Sequence, residues 1–133
     1  MIAMTKVRLR VIRGSSTQTT GGQAELAAAH FLQEHGLKRV EENFRCKLGE
    51  LDLIMQDKSC LVFIEVRFRK SERYGSAAST VTTAKQNKLR KTALYYLKAR
   101  RLRHTAVRFD VVGMKPGEQA HKDYQFRWIK NAF

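Results

Sequence analysis

Two apolar stretches separated by a short polar break constrain the fold of this chain most strongly. The first, at 49–55, reads Gly-Glu-Leu-Asp-Leu-Ile-Met, and the second, at 61–69, reads Leu-Val-Phe-Ile-Glu-Val-Arg-Phe-Arg. Branched and aromatic residues dominate both stretches, whereas the break at 56–59 is polar, so the pattern predicts a β-hairpin. The chain is therefore expected to fold around a sheet that contains this hairpin.

Charged side chains interrupt both strands of the predicted hairpin. Because successive side chains alternate between the faces of a strand, Glu50 and Asp52 are expected on one face of the first strand. For the same reason, Glu65 and Arg67 are expected on one face of the second strand. The opposite face of the first strand would carry three apolar residues: Leu51, Leu53 and Met55.

Glu65 is the least expected of these residues, because it lies in the most apolar run of the chain. Burial of an unpaired carboxylate is costly, and a bound cation would remove that cost. Acidic side chains from two adjacent strands that meet on one face would form an oxygen-rich pocket suited to Mg²⁺ or Mn²⁺. A structural interpretation stays open, in which Glu65 pairs with Arg67 or Arg69. In that interpretation, Glu50 and Asp52 are solvated near a strand end.

The same residues carry a resemblance to known nucleases. Asp52, followed after about a dozen residues by Glu65-x-Arg67, resembles the Asp, Glu-x-Lys motif of the PD-(D/E)XK nuclease superfamily. Within that superfamily, Gly-Glu-Leu-Asp-Leu-Ile at 49–54 followed by Phe-Ile-Glu-Val-Arg at 63–67 is similar to the YraN family of predicted endonucleases. That family is related to the archaeal Holliday junction resolvases.

The resemblance extends over 21–133 and implies one domain with the α/β restriction-endonuclease-like fold, in which helices flank a mixed central β-sheet. It implies a DNA endonuclease, acting on branched or otherwise structured DNA, with Mg²⁺ or Mn²⁺ bound by Asp52 and Glu65. Glu25 or Glu50 would complete the metal shell, directly or through water. Resolvase-like relatives also imply a homodimer. The chain departs from the motif at Arg67, where the superfamily usually has lysine. A guanidinium stays charged and cannot act as a general base, although it can hold a phosphate through two hydrogen bonds.

A first helix is predicted over 23–35. Apolar residues recur there at helical spacing, and Gly36 supplies a C-terminal stop: Ala24, Ala27, Ala28, Phe31 and Leu32. Glu25 has two interpretations. In the first helical turn it would suit the helix dipole, but it also borders the apolar stripe and could face the sheet. The resemblance implies an acid on this helix beside the metal site.

A second helix is predicted from Thr82 or Thr83 to about residue 97, with an apolar stripe formed by Leu89, Ala93, Tyr96 and Leu97. Gln86 continues this stripe, so its amide is expected to point at the sheet. The resemblance places it beside the active site, where it would hold a metal-bound water or a phosphate oxygen. A cationic ridge follows on a neighbouring face, at Lys85, Lys88 and Lys91.

The charge of the chain predicts a polyanionic partner. Its net charge is +14, and 67–103 holds twelve lysines and arginines against one acid. Basic surface of this kind holds phosphates, and the second helix has no acid that would mark an ordinary solvated face. Tyr74 could stack on a base or a sugar. The candidate nucleic-acid contacts are Arg67, Arg69, Lys70, Arg73, Tyr74, Lys85, Lys88 and Lys91.

The rest of the chain supplies further strands and few other chemical features. An extended segment is expected at 40–55, anchored by Phe44 and Leu48, with later strands at 105–114 and 124–129. Asp110 is interpreted as a structural partner of Arg108. Residues 1–20 are expected to form a basic flexible tail ahead of one nuclease-like domain at 21–133.

Cys46 and Cys60 have neither zinc-site nor disulfide-framework spacing and are expected to be free thiols. No stretch approaches membrane-spanning length, so the protein is expected to be cytoplasmic and without a membrane partner. Two functions besides cleavage stay open: a nucleic-acid-binding module that kept the fold and lost catalysis, and an RNA-associated basic protein. Only the acidic cluster distinguishes the nuclease from the binding module.

Overall fold

The computed structural model of the chain describes residues 20–70, 80–118 and 123–133. These residues form, in order, α1 (Thr20–Glu34), β1 (Lys38–Cys46), β2 (Gly49–Asp57), β3 (Cys60–Phe68), α2 (Thr83–Ala99), β4 (Ala106–Pro116) and β5 (Tyr124–Ile129). Nearly all of the predicted tail at 1–20 lies outside the described residues, as do two of the candidate nucleic-acid contacts, Arg73 and Tyr74.

The five strands form one mixed sheet in the order β1-β2-β3-β4-β5. All neighbours are antiparallel except β3 and β4, which are parallel. Parallel neighbours need a crossover, and α2 supplies it between β3 and β4. The predicted α/β class, with helices flanking a mixed central sheet, is confirmed, and the architecture is compatible with the restriction-endonuclease-like fold.

Each helix covers one face of the sheet with its own apolar cluster. Buried residues of α1 pack with residues of the sheet that include Leu53, Met55, Val62, Ile64 and Val112. Buried residues of α2 pack on the other face with residues that include Leu51, Ile54, Phe63 and Val111. The apolar residues predicted at helical spacing account for this packing, because Leu89, Ala93, Tyr96 and Leu97 are all buried.

The hairpin predicted at 49–69 is confirmed as β2 and β3, but its faces differ from the prediction. Leu51 packs on the α2 side, whereas Leu53 and Met55 pack on the α1 side. The pairing between the strands runs from Asp57 with Cys60 only as far as Leu53 with Ile64. The regular alternation therefore breaks around Asp52, and the expected common face of these three apolar residues was wrong.

The extended segment predicted at 40–55 is two strands joined by a tight turn at Lys47 and Leu48. Phe44 is buried as expected, but Leu48 is 42% exposed and does not anchor the sheet. The turn carries no proline or asparagine that would mark it in the sequence. Its conformation depends on the next residue, Gly49, whose φ of +151° is rarely adopted by residues with a side chain.

Most of the other predicted elements are confirmed within a few residues. The Thr82 side chain caps α2 by accepting a hydrogen bond from the Lys85 backbone N–H at 3.1 Å. The strand predicted at 124–129 matches β5, and β4 begins one residue later and ends two residues later than the strand predicted at 105–114. The first helix begins at Thr20, three residues earlier than predicted.

Asp110 is fully buried and makes the structural ion pair predicted for it. Its carboxylate accepts two hydrogen bonds from Arg108, each 2.9 Å, and one each from the Trp128 indole and the Asn131 backbone N–H, also at 2.9 Å. Elsewhere in the described part of the chain, both cysteines are free and half-buried. Within the same ranges, none of the helices has the length and apolar character needed to span a membrane.

Gly49→Ala is expected to destabilise the fold, because a Cβ there would lie 2.9 Å from the Thr92 Oγ1 as well as on a strained backbone. Gly36→Ala is the matched control: its φ is +97°, but the Cβ would meet nothing within 4 Å. Urea unfolding should show a loss of about 2–3 kcal/mol for Gly49→Ala and about 1 kcal/mol for Gly36→Ala. Equal losses would contradict the close approach of α2 to β2.

Candidate active site

Asp52 lies where β2 and β3 separate. The last paired residues of the two strands are Leu53 and Ile64. Beyond them, the Asp52 carboxylate accepts a hydrogen bond from the Val66 backbone N–H at 2.9 Å. The side chain thus takes the place of a backbone partner, which satisfies a ladder N–H while the two strands move apart.

Two further carboxyl groups reach Asp52 from different elements. Glu25 comes from α1 and Glu65 from β3, and each is close enough to share a hydrogen bond with Asp52. Because α1 begins at Thr20, Glu25 lies beyond the first helical turn, which contains no acid. The helix-dipole interpretation of Glu25 therefore has no support in the structure, and its sheet-facing interpretation is the one observed.

The surroundings of this cluster raise the pKa of each of its three carboxyl groups. Burial, together with the neighbouring Asp52 and Glu50, raises the pKa of Glu25 to about 8. Burial and the charge of Asp52 raise the pKa of Glu65 to about 7, although Lys85 and Arg67 act in the opposite direction. Burial also raises the pKa of Asp52, against the lowering effect of the Val66 N–H. When these groups ionise, their surroundings therefore neutralise the negative charge incompletely.

Arg67 and Lys85 both form ion pairs with Glu65, so the pairing with Arg67 that the structural interpretation predicted is present. The Arg67 Nε is 3.3 Å from the Glu65 Oε2, and the Lys85 Nζ is 3.7 Å from the same oxygen. The Arg67 Nε is buried without a hydrogen-bond partner among the described residues, so the 3.3 Å contact lacks hydrogen-bond geometry. Arg67 and Glu65 do share a face as predicted, but their pairing leaves a buried donor unsatisfied.

The carboxylate cluster opens onto a cleft of about 480 Å³ between β2 and α2. Glu50 and Asp52 lie on its strand side, and Lys85 and Lys88 lie on its helix side. Glu50 is exposed and 3.8 Å from the Arg45 Nε. The other residues that line the cleft are Arg45, Cys46, Lys47, Gly49, Leu89 and Thr92. Glu50 and Asp52 are thus reachable from the cleft beside a cationic wall, whereas Glu65 is buried behind them.

The remaining predicted site residues lie around this cleft or away from it. Gln86 is half-buried, and its amide nitrogen donates to the Val81 carbonyl at 3.0 Å, so this group is engaged at the start of α2. Arg69 is half-buried and donates its backbone N–H to the Met114 carbonyl at 2.8 Å. The other described cations of the predicted surface are exposed: Lys70, Lys88 and Lys91.

Two features of the site were not predicted from the sequence. Lys85 was expected only as a phosphate contact, yet it lies beside Glu65. Its position follows from the Thr82 cap, which fixes the first turn of α2, but the sequence does not reveal which strand that turn meets. The Asp52 hydrogen bond to Val66 was also missed, because the alternation rule assumes a continuous ladder.

The donor set fits a magnesium-type ion bound through few protein ligands. Among the described residues, no group of three or more Asp, Glu, His or Cys side chains could hold a metal ion. Magnesium rarely needs such a cage, because it keeps several waters and binds through one or two carboxylates and the substrate phosphates. Asp52 and Glu65 can supply those two carboxylates, with Glu25 as a hydrogen-bond partner of Asp52.

Comparison with known proteins assigns most of this chain to one sequence group. The model of the uncharacterised protein family UPF0102 matches residues 24–114. A UPF0102 protein of Photobacterium profundum is 50% identical over 109 residues, covering 80% of this chain and 83% of the relative. One of Coxiella burnetii is 49% identical over 119 residues, covering 89% and 94%. One of Methylococcus capsulatus is 43% identical over 121 residues, covering 91% and 95%.

The stability of the metal-free protein is expected to fall as the pH rises from about 4.5 to about 8. Glu25 and Glu65 have folded-state pKa values of about 8 and 7 against 4.5 for the free side chain. The folded state therefore binds more protons in this range, so the stabilisation is complete below pH 4.5 and is lost as the pH passes the folded values. Melting temperatures at constant ionic strength measure this.

Glu25→Gln should flatten the upper part of that pH dependence, because the amide cannot lose a proton. Glu118→Gln, at an exposed position in the segment after β4, provides the control and should leave the pH dependence as in the wild type. An identical decline in the wild type and in Glu25→Gln would contradict the placement of Glu25 in the carboxylate cluster.

Proposed function

Since this chain belongs to the uncharacterised protein family UPF0102, a membership that agrees with the YraN-like resemblance but assigns neither the nuclease superfamily nor an activity, we propose a function from its own geometry. The protein is a divalent-metal-dependent DNA endonuclease that hydrolyses phosphodiester bonds. One observation carries the proposal: Asp52 and Glu65, from adjacent strands, meet where β2 and β3 separate, beside a cleft with a cationic wall. Such an enzyme requires acidic side chains that bind the metal and cationic side chains that bind the phosphates.

The contrast between two buried acids supports a functional role for Glu65. The Asp110 carboxylate accepts four hydrogen bonds of 2.9 Å and needs no further partner. The Glu65 side chain is only 8% exposed, yet the Arg67 Nε and the Lys85 Nζ lie 3.3 and 3.7 Å from its Oε2. Its pKa is raised. A buried acid retained for structure is expected to be satisfied as Asp110 is. Glu65 is arranged to receive a cation.

Asp52 and Glu65 would hold Mg²⁺ or Mn²⁺ in the proposed enzyme. When bound, the ion would lower the pKa of a water and stabilise charge that develops on the scissile phosphate. The chain itself fixes the two carboxylates. The Val66 N–H and the Glu25 carboxyl group orient Asp52. Because the pKa of Glu25 is about 8, this group holds a proton near neutral pH and can donate it to Asp52 in a hydrogen bond.

Arg67 and Lys85 would bind the phosphate next to the acids. The Arg67 side chain is 25% exposed, so the accessible part of its guanidinium would donate to a phosphate oxygen. Arginine cannot accept a proton from water, and it stands where the superfamily motif usually has lysine. Lys85 brings an amine to the same Glu65 oxygen from α2, so a lysine is still present beside the motif glutamate.

A second candidate function is nucleic-acid binding without cleavage. The arginine at position 67 favours it, because a site that has lost the motif lysine can keep phosphate affinity while losing proton transfer. The homodimer, the branched substrate and the cytoplasmic location remain predictions from the resemblance and the composition.

A cleavage assay with Mn²⁺ on linear, single-stranded, flapped and four-way DNA tests the proposed activity. Asp52→Asn should lower the single-turnover rate at least about a hundredfold, or about 2.7 kcal/mol of barrier, because the amide loses the charge that attracts the ion. Asp57→Asn is the matched control on the same strand, since Asp57 pairs with Arg108 away from the cleft. Its rate should stay within about threefold. Absence of wild-type cleavage on every DNA would favour the binding module.

Arg67→Lys should retain cleavage within about tenfold of the wild type, or about 1.4 kcal/mol of barrier. The ammonium keeps a positive charge beside Glu65 and restores the usual motif, although the two-pronged phosphate contact of arginine is lost. Single-turnover rates and Mn²⁺ affinity should be measured together. Complete loss of cleavage with unchanged Mn²⁺ affinity and fold would show that the planar guanidinium is required.

A further inference from the structure

A stripe of exposed side chains runs along α2 away from the cleft. Lys88, Lys91, Tyr95 and Lys98 follow one another at intervals of three and four residues, which places them on one side of the helix. All four are exposed. Every charged side chain at 83–105 is basic. The cationic wall of the cleft therefore continues along the helix, well beyond Lys88.

The stripe ends at a second cleft, between the end of α2 and the start of β4. This cleft has a volume of about 610 Å³, and no acidic residue lines it. The lining residues are Lys98, Arg101, Leu102, Arg103, His104 and Thr105. Since an α-helix rises about 1.5 Å per residue, Lys98 lies about 20 Å along α2 from Lys85. We call this second cleft the distal basic cleft.

Arg101 occupies a backbone position that does not suit arginine. Its φ is +60°, and its N–H donates to the Lys98 carbonyl while the Leu102 N–H donates to the Leu97 carbonyl. This is the helix-ending conformation for which glycine or asparagine is preferred, because other side chains crowd the backbone there. A role limited to ending the helix would be better served by glycine. The presence of arginine at this position therefore indicates that its side chain binds a ligand.

The neighbouring Arg100 shows what a structural arginine looks like in the same segment. Its guanidinium binds the Glu41 carboxylate at 2.7 and 3.1 Å and lies over the rings of Phe44 and Tyr96. In the described part of the chain, Arg101 and Arg103 take part in no ion pair of this kind. A favourable interaction with the helix dipole falls off within the last turn, so it explains Lys98 better than Arg103.

We propose that the distal basic cleft is a second binding site for the phosphate backbone of duplex DNA. The duplex would run from the carboxylate cluster along the α2 stripe to Arg101 and Arg103. The guanidinium group of each arginine can hold a phosphate through two hydrogen bonds. The span of about 20 Å corresponds to about six base-pair steps. The inference rests on the proposed function, because it takes DNA as the ligand of the carboxylate cleft.

Fluorescence anisotropy over a series of salt concentrations, with a labelled DNA duplex of about 16 base pairs and Ca²⁺ in place of Mn²⁺, tests the second site. Arg101→Gly should flatten the slope of log K against log salt by about one, because one phosphate contact is lost. Its melting temperature should equal or exceed that of the wild type, since glycine suits the position. Weaker binding would then not result from unfolding.

Two further variants show whether the change in slope is specific to the distal basic cleft. Lys130→Gln removes one exposed cation that lies over Trp128 on the α1 side of the sheet, and it should leave the slope unchanged. Lys88→Gln removes a cation of the carboxylate cleft and should flatten the slope by about one. An unchanged slope for Arg101→Gly beside a flattened one for Lys88→Gln would overturn the second site and leave the proposed function standing.

The other results also separate the two ideas. Slopes as predicted for all three variants, together with a complete lack of Mn²⁺-dependent cleavage, would support the second site and contradict the nuclease. Tighter binding of an RNA duplex than of the DNA duplex of the same sequence would overturn DNA as the ligand. Failure of the wild-type protein to bind any duplex would overturn both proposals.

Discussion

The hydrogen bond from the Val66 N–H to the Asp52 carboxylate is the interaction on which the arrangement of the site depends. Paired strands satisfy their backbone groups with each other, and β2 and β3 do so from the hairpin turn as far as Leu53 and Ile64. At Asp52 a side chain takes over one of these bonds, which lets the strands separate. Groups from both helix layers, Glu25 of α1 and Lys85 of α2, then act on the same carboxylate.

The carboxylate cluster lowers the stability of the folded state, and the rest of the fold holds the cluster in place. Bringing buried and half-buried carboxyl groups together raises their pKa values, which means that their ionised forms are unfavourable in the folded state. An apolar cluster on each face of the sheet holds the helices in position. The Arg100–Glu41 ion pair additionally ties the end of α2 to β1. Local instability at a site that a rigid scaffold holds in place is typical of binding and catalysis.

The structural elements that depend on regular local periodicity were predicted correctly from the sequence. The hairpin, β5 and the apolar stripe of α2 all follow from alternating or helical spacing, and all are present. Two predictions failed where periodicity is interrupted: the common face of Leu51 and Leu53, which the break at Asp52 separates, and the anchoring role of Leu48, which lies in a turn. The position of Lys85 beside Glu65 depends on how the crossover helix packs, which no local pattern encodes.

The most direct test of the central claim is a crystal structure of the protein soaked with Mn²⁺, analysed by anomalous scattering. We expect one anomalous peak within about 2.5 Å of carboxylate oxygens of both Asp52 and Glu65. The Glu65→Gln crystal, soaked in the same way, should lack that peak while its fold is unchanged. A wild-type crystal without the peak, in which Glu65 still pairs with Arg67 and Lys85, would show that the acids are structural and would contradict the account.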